Sequence, residues 1–148
     1  MPKIHLDRAK ELKGSLLPEP FRNKAKNRTK RHLGDVAGLT DFGVNLVRLP
    51  PGEWSSQRHW HSHEDEFVYV LEGRLTLVTD AGEEVLNAGD CAAFPKASRE
   101  GHNLINKSVA DALYLEIGSR HPHDVAEYSD IDLRFAGKTY TRKDGRPY

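Results

Sequence analysis

Short β-rich runs follow one another between residues 42 and 118, and they limit the folds open to this chain more than any other feature. Turn sequences such as PPG, AGEE, AGD and PKAS separate them. The runs are FGVNLVRL, EFVYVLEG, RLTLVTD, EEVLNAGD, CAAFP, HNLIN and ALYLEIG. Short strands at close spacing, without helical periodicity between them, are typical of antiparallel sandwiches and barrels. The sequence therefore predicts an all-β fold.

The two ends of the chain lack this pattern of short β-rich runs. Residues 1–40 contain little apolar periodicity beyond LDRAKELKGSLL, so we predict an N-terminal arm with one or two helical turns. Residues 121–148 are polar and rich in turn-forming residues, which predicts a C-terminal tail. A length of 148 residues fits one domain, with the barrel over residues 41–120.

Charge and hydropathy narrow the function classes. The 22 basic residues balance the 22 acidic ones, so no overall field steers the protein to nucleic acid or an anionic membrane. The basic run over residues 22–31, RNKAKNRTKR, is predicted to be a solvated face, with a phosphate-binding patch as the alternative. No apolar run approaches the roughly 20 residues of a membrane span, and the N-terminus lacks an apolar signal region, so we expect a cytoplasmic protein.

Cys91 is the one cysteine of the chain and cannot form an internal disulfide. This fits a reducing compartment. Because Cys91 lies in a run of small residues after a Gly-Asp turn, we predict a buried small side chain rather than a nucleophile.

Histidines and a glutamate crowd the start of the second β-rich run, in HWHSHEDEFVYVLEG. Side chains two apart on an extended chain share a face, so His59, His61 and His63 can all point the same way. Glu66 begins an apolar strand, where a carboxylate is costly unless it is paired or bound to a cation. The pattern predicts a divalent metal site. His102, from a different hairpin, is a candidate fourth ligand, and the residues alone leave open whether His59 or His63 accompanies His61.

Two segments resemble the motifs of the cupin family. In the first, a glycine precedes HxH, four residues, Glu, six residues and Gly, and the matching residues are His59, His61, Glu66 and Gly73. In the second, GDCAAFPKASREGHNLIN, the matching residues are Gly89, Pro95, His102 and Asn106. Fifteen residues lie between Gly73 and Gly89, a spacing seen in small microbial cupins. The sequence departs from the motifs in two places: Ala97 replaces a glycine, and the gap before HxH is six residues rather than five.

The resemblance implies a double-stranded β-helix, the jelly-roll type of barrel. It implies one divalent metal ion held by His59, His61, Glu66 and His102, with His63 beside the site or at its mouth. Such ligands suit Fe, Mn, Ni, Cu or Zn, and affinity does not choose among them. The resemblance also implies a homodimer, in which residues 1–40 could cross onto the partner.

Four protein ligands on an octahedral ion leave two positions for a substrate. The sequence is therefore interpreted as a small-molecule metalloenzyme of the dioxygenase, isomerase or epimerase, or lyase type, acting on a polar oxygenated metabolite. The alternative is a non-catalytic module that binds a metal or metabolite. Candidate catalytic residues are Arg58, which could clamp a carboxylate, and Tyr114 and Glu116, which alternate with apolar residues on the last strong strand.

A second HxH, His121 and His123, is interrupted by Pro122, which cannot continue a regular strand. We interpret this segment as a polar loop.

Overall fold

The computed structural model describes residues 2–148, and its regular secondary structure consists mostly of β-strands. The strands are β1 (Glu11–Lys13), β2 (Thr29–His32), β3 (Phe42–Leu49), β4 (His59–His61), β5 (Glu66–Glu72), β6 (Arg74–Thr79), β7 (Gly82–Asn87), β8 (Cys91–Phe94), β9 (Asn103–Ile105), β10 (Ala112–Ser119), β11 (Val125–Tyr128), β12 (Arg134–Ala136) and β13 (Thr139–Thr141). The helical elements are α1 (Leu33–Val36) and the 3₁₀ helices Leu6–Arg8 and Phe21–Ala25. Each of the predicted runs forms a strand. Within residues 2–148, no helix has both the length and the apolar character needed to span a membrane.

Two walls of antiparallel strands enclose the interior. The first wall is a six-stranded sheet in the order β1-β2-β3-β10-β5-β8. The second consists of the sheets β13-β12-β11-β4 and β7-β6-β9. These two sheets meet at a bridge between His59 and His102, whose backbone N–H groups each donate to the other's carbonyl oxygen at 3.2 and 3.0 Å. The all-β, jelly-roll prediction is confirmed.

Alternation along the strands decides what faces the interior. On β5, Val68 and Val70 are buried, whereas Tyr69 and Leu71 face outward and are each 39% exposed. The main core lies between the six-stranded wall and the β7-β6-β9 sheet, and contains Val47, Leu49, Val68, Val70, Leu75, Leu77, Leu86, Leu104, Ala112 and Tyr114. Burial of each larger apolar side chain here contributes about 1.5–3 kcal/mol to stability.

The terminal segments differ from the predicted arm and tail. Strands β1 and β2 extend the first wall by pairing with each other and with β3 of the same chain. Residues after 120 supply β11, β12 and β13, most of one sheet of the second wall. Leu17 packs on Ala126, Tyr128 and Leu133, so the two ends of the chain together form a second core. These strands are three or four residues long and lie in segments with little apolar periodicity, so the sequence did not reveal them.

Two turns depend on left-handed backbone. Gly73, between β5 and β6, has φ +78°, and a Cβ there would lie 2.7 Å from the carbonyl oxygen of Asp111. Ala97, which replaces the motif glycine, keeps the left-handed conformation with φ 59°. Its N–H donates to the carbonyl oxygen of His61 at 2.7 Å. The substitution therefore retains the turn and its attachment to β4.

The prediction for Cys91 is wrong, because its side chain is exposed. Strand β8 is the edge of the six-stranded sheet, and Cys91 pairs with Tyr69, which is itself exposed. Cys91 thus lies on the outer face of the barrel.

Candidate metal centre

Three histidine side chains converge on the carboxylate of Glu66. The Nε2 atom of His102 lies 2.6 Å from its Oε2 oxygen, and that of His59 lies 3.7 Å from the same oxygen. The Nε2 atom of His61 is 3.3 Å from Oε1. Ligand atoms of His59, His61 and Glu66 all lie within 4.8 Å of one another, so these three residues could hold a metal ion.

The strands explain how the chain brings these residues together. His59 and His61 are alternate residues of β4 and therefore project to the same side. His102 lies directly opposite His59 in the bridge that joins the two sheets of the second wall. Glu66 begins β5 on the opposite wall, on the inward face shared with Val68. The site thus spans the interior of the barrel between its two walls.

Hydrogen bonds to the imidazole rings show why this arrangement suits a cation. The Nδ1 atom of His59 faces the carbonyl oxygen of Gln57 at 2.8 Å, and that of His61 faces Oδ2 of Asp124 at 2.6 Å. Both partners only accept, so each Nδ1 carries the proton and a neutral ring has its lone pair on Nε2. Two lone pairs then face the carboxylate of Glu66, an arrangement that requires a proton or a metal ion between them.

The pKa shifts of Glu66 and His61 also indicate a site that suits a cation. Burial by itself would raise the pKa of Glu66, but hydrogen bonds from His102, His59 and His61 hold that pKa well below its ordinary value. Burial would lower the pKa of His61, yet Glu66 and Asp124 raise it to about 9. Burial lowers the pKa of His102. Glu66 therefore remains ionised, and a proton on His61 occupies the position that a cation would take.

A cavity of about 300 Å³ opens beside this cluster, at the lower end of the volumes typical of small-molecule sites. Its polar wall includes Arg28, Lys30, Tyr114, Glu116, Tyr128 and Tyr140. Two of the three candidate catalytic residues therefore line it. On β10, Tyr114 and Glu116 face inward and the intervening Leu115 faces out, which settles the orientation that the sequence left open.

Arg58, the third candidate, is not found among the described residues that line the cavity. Its guanidinium binds both carboxylate oxygens of Asp130 at 2.8 and 2.9 Å and Asp80 at 2.5 Å. It also donates to the carbonyl oxygen of Gly101 at 3.1 Å. Because Arg58 directly precedes His59 on an extended chain, its side chain points to the other face. It holds surface loops together.

The structure brings His59, rather than His63, to Glu66. The exposed ring of His63 stacks on His121, with 4.7 Å between ring centroids. His121 and His123 lie in an exposed turn, in agreement with the predicted polar loop.

Asp124 is a residue of the site that sequence reasoning missed. Besides its contact with His61, it accepts the backbone N–H of His63 at 2.9 Å. Asp124, Glu64 and His61 also have ligand atoms within 4.8 Å of one another. Only the position of Asp124 after the HPH segment could have drawn attention to it, and it lies 63 residues from its partner.

Part of the basic run is also placed differently from the prediction. Arg22, Lys24 and Lys26 are exposed, as expected of a solvated face. Arg28, however, is only 7% exposed and Lys30 is partly buried, and both line the cavity. A visible signal was the alternation of basic residues at positions 28 and 30, which is a strand pattern with a polar inward face.

A family model of the cupin domain matches residues 45–118, half of the chain. The matched segment runs from β3 to β10 and includes every residue of the Glu66 cluster. The chain belongs to the cupin family.

Several known structures and proteins are similar to this chain. A crystal structure of a cupin-superfamily sugar phosphate isomerase from Silicibacter pomeroyi is 45% identical, with a TM-score of 0.93 over 99% of this chain and 96% of that one. A structure from Acidithiobacillus ferrooxidans is 31% identical, with a TM-score of 0.72 over 78% and 74% of the two chains. The germin-like protein subfamily 2 member 3 of Arabidopsis thaliana is 34% identical over 57% of this chain, which spans 42% of that protein.

Proposed function

We propose that this protein is a metal-dependent cupin enzyme that isomerises a small polyhydroxylated metabolite. His59, His61, Glu66 and His102 are the proposed ligands of one divalent ion of Fe, Mn, Ni, Cu or Zn. The observation that carries the proposal is the convergence of the Nε2 atoms of His59, His61 and His102 on the carboxylate of Glu66, on the wall of a cavity. The similarity to the Silicibacter pomeroyi sugar phosphate isomerase favours isomerisation over the other reactions open to such a site.

Isomerisation needs groups that bind oxygen atoms and move a proton between neighbouring carbons. A bound divalent ion would supply a Lewis acid that polarises a carbonyl oxygen. Burial raises the pKa of Tyr114, so its hydroxyl stays protonated and can donate a hydrogen bond. Burial would also raise the pKa of Glu116, but Lys30, 2.7 Å away, helps to hold it below its ordinary value. Glu116 is therefore ionised and is our candidate for the group that accepts and returns the proton.

Elemental analysis of protein purified without chelator or metal-affinity column tests the metal site. We expect near-stoichiometric metal in the native protein and none in the His59→Ala, His61→Ala double variant. The matched control is His121→Ala with His123→Ala, which removes an exposed HxH outside the cluster. Absence of metal from the native protein after reconstitution would refute the metal site.

Turnover is tested with a panel of aldose and ketose phosphates in D₂O, followed by proton NMR. An isomerase that moves a proton exchanges it with solvent, so deuterium should enter the carbon next to the carbonyl group. We expect this exchange to require metal and to occur without consumption of oxygen. Metal-loaded protein that turns over none of the panel would favour a binding module instead.

We also propose that the protein forms a homodimer, as the cupin resemblance implies. The outer face of the first wall exposes large apolar side chains such as Phe42, Tyr69 and Leu71, which a second copy could cover. Light scattering at micromolar concentration should then give twice the mass of the chain, and a monomer would reject the idea. A cytoplasmic location stays a prediction that the exposed thiol of Cys91 fits.

A further inference from the structure

We propose that Arg28 forms an anion-binding subsite in the cavity and that the substrate carries a phosphate or carboxylate group. This inference rests on the proposed function, because it names the class of substrate for the same site. Arg28 belongs to the basic run at the N-terminal end of the chain, which the metal cluster does not use. Arg28 and the ligand histidines nevertheless line the same cavity.

Arg28 is held rigidly inside the protein. Only 7% of Arg28 is exposed to solvent. Its guanidinium donates hydrogen bonds to the carbonyl oxygens of Gly14, at 2.9 Å, and Ser55. These contacts fix the plane of the guanidinium and join the N-terminal segment to the loop before β4. Both partners are neutral, so neither offsets the positive charge.

One nitrogen of the Arg28 guanidinium, Nε, is left without a partner among the described residues. Its Nε–H is buried and has no hydrogen-bond partner within residues 2–148. A buried donor without an acceptor is costly, and more so when it belongs to a charged group. A purely structural arginine that only joined two carbonyl groups would have no need of this cost. An oxyanion in the cavity would offset the positive charge of the guanidinium, which lines the cavity wall.

The nearby carboxylate of Glu116 does not fully balance the positive charge of Arg28. Lys30, on β2, also lines the cavity, and its ammonium group is paired with the carboxylate of Glu116 at 2.7 Å. Glu116 also accepts from Nδ2 of Asn45 at 3.2 Å. Arg28 lowers the pKa of Glu116 more weakly than Lys30 does, so one carboxylate is shared between two cations.

A metal ion bound at the proposed centre would add further positive charge to the cavity. Glu66 is the other carboxylate that lines the cavity, and a divalent ion bound there would outweigh its single negative charge. The metal-loaded cavity then carries a net positive charge, which favours an anionic ligand over a neutral one of the same size. The hydroxyl groups of such a ligand would face the metal centre and its anionic group would face Arg28.

Three ligands with the same carbon skeleton separate the possibilities: D-ribose 5-phosphate, D-ribonate and D-ribose, titrated calorimetrically into the metal-loaded protein beside inorganic phosphate. We expect at least one of the two anionic sugars to bind roughly 10- to 100-fold tighter than ribose, the effect of one charge-assisted hydrogen bond. Which of them binds tighter identifies the group as phosphate or carboxylate. Equal affinity for all three sugars, or no binding of any anion at about 10 mM, would overturn the subsite.

The Arg28→Gln variant should lose this preference, with the affinity for the anionic sugar falling to that for ribose. The Arg28→Lys variant keeps the charge and should retain the preference at lower affinity. The matched control is Arg22→Gln, which removes an exposed arginine of the same basic run and should change nothing. Retained preference in a folded Arg28→Gln variant would contradict the assignment. If that variant does not fold, the comparison of ligands on native protein and the Arg28→Lys variant still decide.

Metal content measured on the same samples separates this inference from the proposed function. Native protein that holds metal but binds ribose as well as the anions overturns the subsite and leaves the metal centre standing. Native protein that prefers anions but holds no metal supports the subsite and overturns the proposed enzyme.

Discussion

Asp124 should control the affinity of the metal centre although it is not one of the proposed ligands. Its Oδ2 lies 2.6 Å from Nδ1 of His61, and the two side chains are only 11% and 15% exposed. This carboxylate fixes the tautomer that leaves the Nε2 lone pair free and makes the ring a stronger electron donor. An Asp124→Asn substitution keeps an oxygen acceptor but removes the negative charge, and charge-assisted hydrogen bonds are about twice as strong as neutral ones.

Loss of such a partner typically weakens metal binding about 10- to 100-fold, or about 1.4–2.7 kcal/mol. Competition with a chelator of known affinity measures this change, and circular dichroism checks that the variant is folded. The Asp130→Asn variant is the control, because Asp130 pairs with Arg58 outside the cavity. If Asp124→Asn and Asp130→Asn bind metal as tightly as the native protein, the orientation of His61 does not depend on Asp124 and the reasoning fails.

Three further predictions concern stability and can be measured together by urea unfolding. Gly73→Ala should destabilise the fold by at least about 2 kcal/mol, because it adds left-handed strain and places a methyl group against the Asp111 carbonyl; a change below half of that would contradict the tight turn. Asn106→Ala should cost about 2–4 kcal/mol, since the buried amide donates to two backbone carbonyls at 2.7 and 2.8 Å, and a neutral result would mean that water replaces it. Ala97→Gly should stabilise the protein by up to about 1 kcal/mol by relieving its positive φ, and a loss of stability would show that chain entropy outweighs this strain.

The central barrel could be predicted from the sequence because its longer strands show their alternation and its short runs, such as those of β8 and β9, follow one another between turn sequences. Val68 and Val70 alternate with Tyr69 and Leu71 on β5, and the structure buries the first pair and exposes the second. The terminal strands are three or four residues long and lie in segments with little apolar periodicity, so they show no clear hydrophobic alternation. For this reason β1, β2 and β11–β13 were not foreseen.

Some residues of the candidate site could likewise be predicted from the sequence, and others could not. His59, His61 and Glu66 lie within eight residues and could be recognised by spacing, with His102 added by the second motif. Asp124 and Arg28 reach the site through segments that have no motif of their own. Arg28 was expected on a solvated face because arginine is rarely buried, and only the tertiary structure shows the cavity beside it.

The bridge between His59 and His102 also bears on how the protein folds. Those residues are 43 apart in the chain, and the pairing of β3 with β10 closes still longer loops, from Leu49 with Ala112 to Phe42 with Ser119. A topology dominated by such distant pairings has a high contact order and folds slowly, in milliseconds to seconds. The proposed ligand set is complete only after the loop between His59 and His102 has closed, so we expect a metal ion to stabilise the folded barrel rather than to start its folding. Metal added during refolding should therefore slow unfolding without accelerating the folding reaction.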